Sequence, residues 1–297
     1  MSLVERALKK LQESRGGQPP ASVIPPAARA PAAPAPSAPS GPRQMVPVET
    51  TRIVNVDRAH LREVELLPPP NAERQLASQY QHIKRPLVAS VLGGELGAAG
   101  HVIAVASALA GEGKTFTSVN LALSLALEKD IEVLLVDADV LKPHLTRLFG
   151  LEKEVGLVDL LVDRNLHARQ AILRTDVPGL TILPAGRSTE SATELIASER
   201  MAEIVQQLAA PDGRRIVLFD SPPMLLSTEA HVIAASAGQV VLVVRAEVTA
   251  RNAVNDAVAA VGPNKPVSLI LNQTSAAPGD GHYGYGSYGT SSDSRSA

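Results

Sequence analysis

Three stretches carry residues whose types and spacing suit the chemistry of phosphate transfer. Ala106 to Asn120 reads ASALAGEGKTFTSVN. A loop that cradles phosphate needs glycines that let backbone N–H groups turn inward, a lysine for the β/γ-phosphates and a hydroxyl for Mg²⁺. Gly111, Glu112, Gly113, Lys114, Thr115 and the following Phe116 are therefore candidate nucleotide contacts. In G-x-x-x-x-G-K-[ST] the first glycine falls on Ala108, a departure from the pattern. Two apolar runs end in acids: Ile131 to Val136 in Asp137-Ala138-Asp139, and Ile216 to Phe219 in Asp220-Ser221-Pro222-Pro223. Asp220 stands where an acid can hold magnesium through water. Asp137 and Asp139, two apart in an extended chain, share a face. One of them can hold the metal while the other accepts a proton from an incoming hydroxyl. Thr115, Asp137, Asp139 and Asp220 are thus the candidate metal set, and Lys114 with the three aspartates the candidate catalytic set. Asn272 ends the last expected strand; its amide can bond an adenine ring or merely sit in a turn.

Such side chains act together only if the fold brings them to one edge. Strands are expected at His101–Ser107, Ile131–Val136, Leu180–Leu183, Ile216–Phe219, Val240–Val244 and Val267–Leu271, all short apolar runs of the buried parallel kind. Helices are expected at Ser118–Leu127, Leu141–Phe149, Leu157–Val162, Ala192–Leu208, Glu229–Ala235 and Arg251–Val261. Asn71–Val88 reads as a helix that Pro86 stops, and Glu49–Val64 carries some alternation before Pro68–Pro70. This alternation predicts an α/β fold, a doubly wound and mainly parallel sheet with helices on both faces. Ligands in such sheets bind at the carboxyl ends of the strands, where every acid named above lies.

Aromatic residues make up 2% of the chain against 45% hydrophobic, so the core must be built of Val, Ile, Leu and Ala. A net charge of −2 gives no reason to expect nucleic acid, and with no cysteine neither thiol catalysis nor iron–sulfur ligation is open. No apolar run approaches the ~20 residues that span a bilayer, so membrane association would come through a partner. The chain divides into a short amphipathic helix (1–18), a Pro/Ala-rich linker (19–48), the α/β domain (49–275) and a Gly/Ser/Tyr-rich tail (276–297). That tail holds Tyr283, Tyr285 and Tyr288, three of the four tyrosines. Its Gly284–Gly289 stretch matches G-x-G-x-x-G formally but lacks the flanking strand and helix of a dinucleotide site. The seven histidines show no metal-ligand spacing.

With GEGKT, D-x-D and D-S-P-P in this order and a tyrosine-rich tail, the chain resembles the bacterial protein-tyrosine autokinases of polysaccharide synthesis and export. It is most similar to their exosortase-associated branch, from about Asn71 onward and in the opening MSLVERALKKL. The resemblance implies a phosphate-loop NTPase fold, related to the partitioning ATPases, and ATP–Mg²⁺-dependent phosphorylation of Tyr283, Tyr285 and Tyr288. It further implies a homo-oligomer, a membrane-embedded chain-length regulator as partner and a cognate tyrosine phosphatase. The location implied is cytoplasmic, peripheral to the inner membrane. Ala110 replaces a proline usual in the family, and Leu141 an arginine, although Lys142-Pro143 follows. The family's ring-forming E-x-x-R-x-x-R falls on Ser78, Gln81 and Lys84, so a ring would use other contacts such as Lys84 and Arg85. The alternative is an ATP-hydrolysing dimerisation switch with an inert tail, against which stands Leu109 where such switches carry a second lysine. Eleven residues separate Asn272 from Tyr283, a reach of at most roughly 36–40 Å. That permits transfer within a chain and between chains.

Overall fold

The architecture follows from which way alternate residues of the apolar runs face. In a computed structural model, which describes residues 53–94, 96–209 and 214–274, Val102, Ala104 and Ala106 join one hydrophobic cluster while Ile103 and Val105 join another. Leu134 and Val136 part from Val133 and Leu135 in the same way, as do Val217 and Phe219 from Ile216 and Leu218. A strand apolar on both faces must be covered on both, and it is. The strands are β1 (Ile53–Val54), β2 (Val102–Ser107), β3 (Glu132–Asp137), β4 (Leu173–Thr175), β5 (Leu180–Leu183), β6 (Arg215–Asp220), β7 (Gln239–Arg245) and β8 (Val267–Asn272). They form one eight-stranded sheet in the order β1-β4-β5-β3-β6-β2-β7-β8. All neighbours run parallel except β4 and β5, so the doubly wound, mainly parallel sheet is as expected.

The helix Lys114–Leu125 buries Val119, Leu121 and Leu125 on one face of this sheet. Against the other pack helices Leu157–Val162, Glu199–Leu208 and Thr228–Ser236, through Leu160, Ile204 and Ile233 among others. The connections β2→β3 and β6→β7 run to opposite sides of the sheet, and the crevice this leaves lies at the carboxyl ends of β2, β3 and β6.

Four expectations need correction. Pro86 does not stop its helix, which runs from Glu73 to Gly93 with the proline inside. Pro86 and His82 are both exposed, so the carbonyl that loses its N–H partner faces water, while Tyr80, Leu87 and Val91 anchor the opposite side. Lys84 is no surface contact: it is 2% exposed, donates to Ser124 O at 2.8 Å and pairs with Glu128 Oε1 at 2.7 Å. Ala192–Leu208 is two helices, Ala192–Ile196 and Glu199–Leu208. Between them Ser198 turns extended (ψ 160°) and its hydroxyl donates to Leu195 O at 2.6 Å, the local bond by which serine competes with helix. The alternation of Glu49–Val64 yields only the two-residue β1, then the helix Arg58–Glu63, whose N-cap Asp57 accepts from the N–H groups of Ala59 and His60. The expected N-terminal helix, the linker and the tail with Tyr283, Tyr285 and Tyr288 lie outside the described residues.

Candidate functional site

The glycine-bearing loop lies between β2 and the helix Lys114–Leu125. Gly111 (φ +78°) and Gly113 (φ +94°) take the left-handed backbone that this turn requires. A Cβ on Gly113 would also fall 2.0 Å from Asn272 Nδ2. Ala108, in contrast, is not among the residues with positive φ and is fully buried, its carbonyl accepting the Leu225 N–H at 3.1 Å. An alanine therefore fits where the pattern has glycine. The helix begins at Lys114, so its free N–H groups and positive dipole end meet whatever the loop holds.

The two acidic strand ends converge beside this helix. Asp137 and Asp220 are register partners on β3 and β6, and Val105 of β2 pairs with Asp220 from the other side. Asp220 Oδ2 accepts the Thr115 hydroxyl at 2.9 Å, and Oδ1 the Ser118 hydroxyl at 2.9 Å. Asp137 Oδ2 takes two donors from Thr146, the backbone N–H at 2.8 Å and the hydroxyl at 2.7 Å. Its Oδ1 is buried without a protein partner. Asp139, just past the strand, accepts the Lys142 N–H at 3.1 Å. The Asp220-Ser221-Pro222-Pro223 segment folds back onto the loop, with Met224 N–H donating to Ser107 O at 2.8 Å.

Enclosure governs the charges. Burial pushes the Asp137 carboxyl up to about 7, and the neighbouring Asp220 charge adds to this against the two Thr146 bonds. Burial raises Asp220 to about 6, opposed by the Thr115 and Ser118 hydroxyls and by Lys114. Asp139 is raised for the same reason. Lys114 is pulled down by burial, while Asp220, Asp139 and Glu112 hold its proton on.

Two cavities flank Lys114. One of about 590 Å³ is walled by Gly113, Thr115, Phe116, Asn272, Gln273 and the Val64–Leu66 segment. The other, of about 300 Å³, holds Lys114, Asp139, Lys142, Ser227 and Glu229 and is otherwise walled largely by Val140, Leu141, Pro222, Pro223 and Leu226. Asn272 does not leave its amide wholly free: Nδ2 donates one N–H to the Glu112 carbonyl at 3.0 Å, so its other N–H and its oxygen remain for a base.

The donor set fits magnesium. It is all oxygen, from Thr115, Asp137, Asp139 and Asp220, and the orphaned Asp137 Oδ1 lies beside it. Among the described residues no three acidic or histidine side chains close into a cage. Magnesium, which keeps waters and takes substrate oxygens, asks for none.

Ser118 and Thr146, which hold Asp220 and Asp137, are residues that sequence reading missed, as is Thr249, whose hydroxyl donates to Glu112 in the loop. Ser118 lies one helical turn beyond Lys114 and was legible by i+4 spacing. Thr146 and Thr249 reach the site only through tertiary folding and leave no local signal.

Comparison with known proteins places these features in a family. The AAA domain family matches residues 100–264, more than half of the chain. The tyrosine-protein kinase YwqD of Bacillus subtilis is 32% identical over 190 residues, 63% of this chain and 77% of YwqD. EpsB of Ralstonia nicotianae is 40% identical over 138 residues, 46% of this chain. The tyrosine-protein kinase Wzc of Salmonella typhimurium is 31% identical over 186 residues, 62% of this chain. The matched part spans only 18% of EpsB and 25% of Wzc. In three dimensions the VpsO kinase domain (28% identical, TM-score 0.56) covers 69% of this chain and all of its own. The kinase domain of Escherichia coli tyrosine kinase ETK (27%, TM-score 0.52) covers 63% and 72%.

Proposed function

The chain belongs to the AAA domain family and within it to the bacterial tyrosine-protein kinases, and from that premise we propose that it is an ATP-dependent autokinase of its own tail. The acceptors are Tyr283, Tyr285 and Tyr288. The observation that supports this reading is the second cavity, of about 300 Å³, which puts Lys114 and Asp139 beside the phosphate loop with room for a tyrosine ring between Leu141, Pro222 and Leu226.

In this reading ATP is the substrate: its base sits between Phe116 and Asn272, and its phosphates lie on the loop N–H groups and Lys114. Of the candidate metal set, Thr115, Asp137 and Asp220 would hold magnesium, which would supply charge neutralisation at the phosphates, and Asp139 would be left to take a proton. The tyrosine oxygen bonds to the γ-phosphorus as the bond from that phosphorus to the β,γ-bridging oxygen breaks, and ADP leaves. The phenolic proton passes to Asp139, which lines the acceptor cavity. Thr146 engages Oδ2 of Asp137, which would leave Oδ1 for the metal, and Lys114 carries the charge of the transferred group.

Among the described residues no helix is long and apolar enough to cross a membrane. The further reading follows the family: a role in exopolysaccharide synthesis or export, activation by a membrane-embedded partner at the inner membrane, assembly into a homo-oligomer and reversal by a tyrosine phosphatase. Replacing all three tail tyrosines by Phe should abolish phosphate incorporation and leave ATP affinity unchanged. Incorporation that persists in this variant would refute the tail as acceptor.

A further inference from the structure

Glu112 is a buried carboxylate set in a loop shaped for a polyanion, and its charge opposes that ligand unless it does other work. The side chain is 2% exposed. Its Oε2 accepts the Leu109 N–H at 2.7 Å, which closes the loop on itself. Its Oε1 accepts the hydroxyl of Thr249, on the connection after β7. Its backbone carbonyl takes the Asn272 amide. Thr249 is itself fixed, since its Oγ1 accepts the Arg245 N–H at 3.2 Å and its N–H donates to Arg245 O at 3.1 Å.

We propose that Glu112 and Thr249 form a positioning brace that holds the phosphate loop in its anion-binding shape before nucleotide arrives. Thr249, 137 residues away in sequence, thereby sets nucleotide affinity without touching nucleotide. With Ala108 in place of the first glycine, the loop's shape rests on Gly111, Gly113 and these bonds. A carboxylate suits the task because both partners are donors and each oxygen can accept one of them. Buried acceptors of this kind hold a loop firmly because leaving one unmet is costly.

This role rests on the reading of the loop as a nucleotide cradle. The test is equilibrium binding of a fluorescent ATP analogue with Mg²⁺ to the full chain and to T249V, T249S, E112A and the E112A/T249V double variant. T249V should bind about tenfold more weakly, as when a supporting hydrogen bond behind a ligand site is removed. T249S, which keeps the hydroxyl, should return to near the parent value. The double variant should be no weaker than E112A alone, because the two side chains act as one unit. A T249V affinity within twofold of the parent overturns the brace, as does T249S failing with T249V, or losses that multiply in the double variant. Binding is read without turnover, so the two readings can fail separately. A chain that binds the analogue but labels no tyrosine ends the kinase reading alone.

Discussion

Lys114 sits among carboxylates that bear on its charge, Asp220, Asp139 and Glu112. Its ammonium is desolvated in the free protein and has its purpose only when phosphate arrives. Lys114→Met should therefore fold and melt no lower than the parent, while turnover falls about 10²–10³-fold, the cost of losing one charge donor at a transition state. Single-turnover kinetics beside a melting curve checks both halves. The buried aspartates add a pH signature. Asp137 rises from the usual 3.8 to about 7, so the folded chain keeps a proton there that the unfolded chain has lost. Asp220, raised to about 6, behaves alike. The folded state thus binds more protons than the unfolded one across this window, and from this source the stability of the unliganded protein falls as pH rises from about 4 to 7. The Mg²⁺ ion that comes with ATP would supply the missing counter-charge to these carboxylates, so the stabilisation conferred by Mg²⁺–ATP should be larger at pH 8 than at pH 5. Melting temperatures at both pH values, with and without Mg²⁺–ATP, test this; equal shifts would contradict it.

At the scale of elements, the helix Glu73–Gly93 holds two features that sequence reading took the other way. Lys84→Ala would leave the Ser124 carbonyl without its donor and Glu128 without its cation. With Glu128 partly in water, the expected loss is about 1–3 kcal/mol, seen as a lower denaturant midpoint. Pro86→Ala should instead stabilise, by about 1–2 kcal/mol, because it restores the N–H bond to residue 82 with no packing at stake. These two sites also mark where sequence stops being legible. The central strands could be read because VIAVAS and its counterparts are apolar on both faces, which only a covered parallel sheet explains. The loop could be read because glycine at 111 and 113, lysine and threonine each have a separate physical task there. β1 and β4, two and three residues long, could not, since so short a strand is fixed by its neighbour's edge rather than by its own pattern. Nor could the burial of Lys84, whose partners lie 40 and 44 positions on, or the hold of Thr146 on Asp137, which depends on a short helix docking under the sheet edge. Pro86 misled because a proline is a helix breaker by local rule, and solvent exposure of the freed carbonyl relaxes that rule.

For the whole molecule, the fold gathers four distant segments at one sheet edge: the loop after β2, the ends of β3 and β6, and the end of β8, from which the chain runs on to its tyrosines. The larger cavity beside Lys114 is lined by Asn272 and Gln273, so the chain leaves β8 next to the site its tail is proposed to serve. Each phosphotyrosine adds about −1.5 to −2 charges. A labelled tail should then be repelled from a site already holding triphosphate and aspartates, and if the proposed homo-oligomer is held by tails seated in neighbouring sites it should shrink. Light scattering before and after Mg²⁺–ATP addition reads this directly, and an unchanged mass would count against tail-mediated assembly. The central claim is tested most directly by mass-spectrometric phosphosite mapping of the full chain after incubation with Mg²⁺–ATP. Phosphate is expected on Tyr283, Tyr285 or Tyr288 in the parent, and about 10²–10³-fold more slowly in Lys114→Met. Free phosphate released with no tyrosine labelled would contradict it and favour the hydrolytic switch.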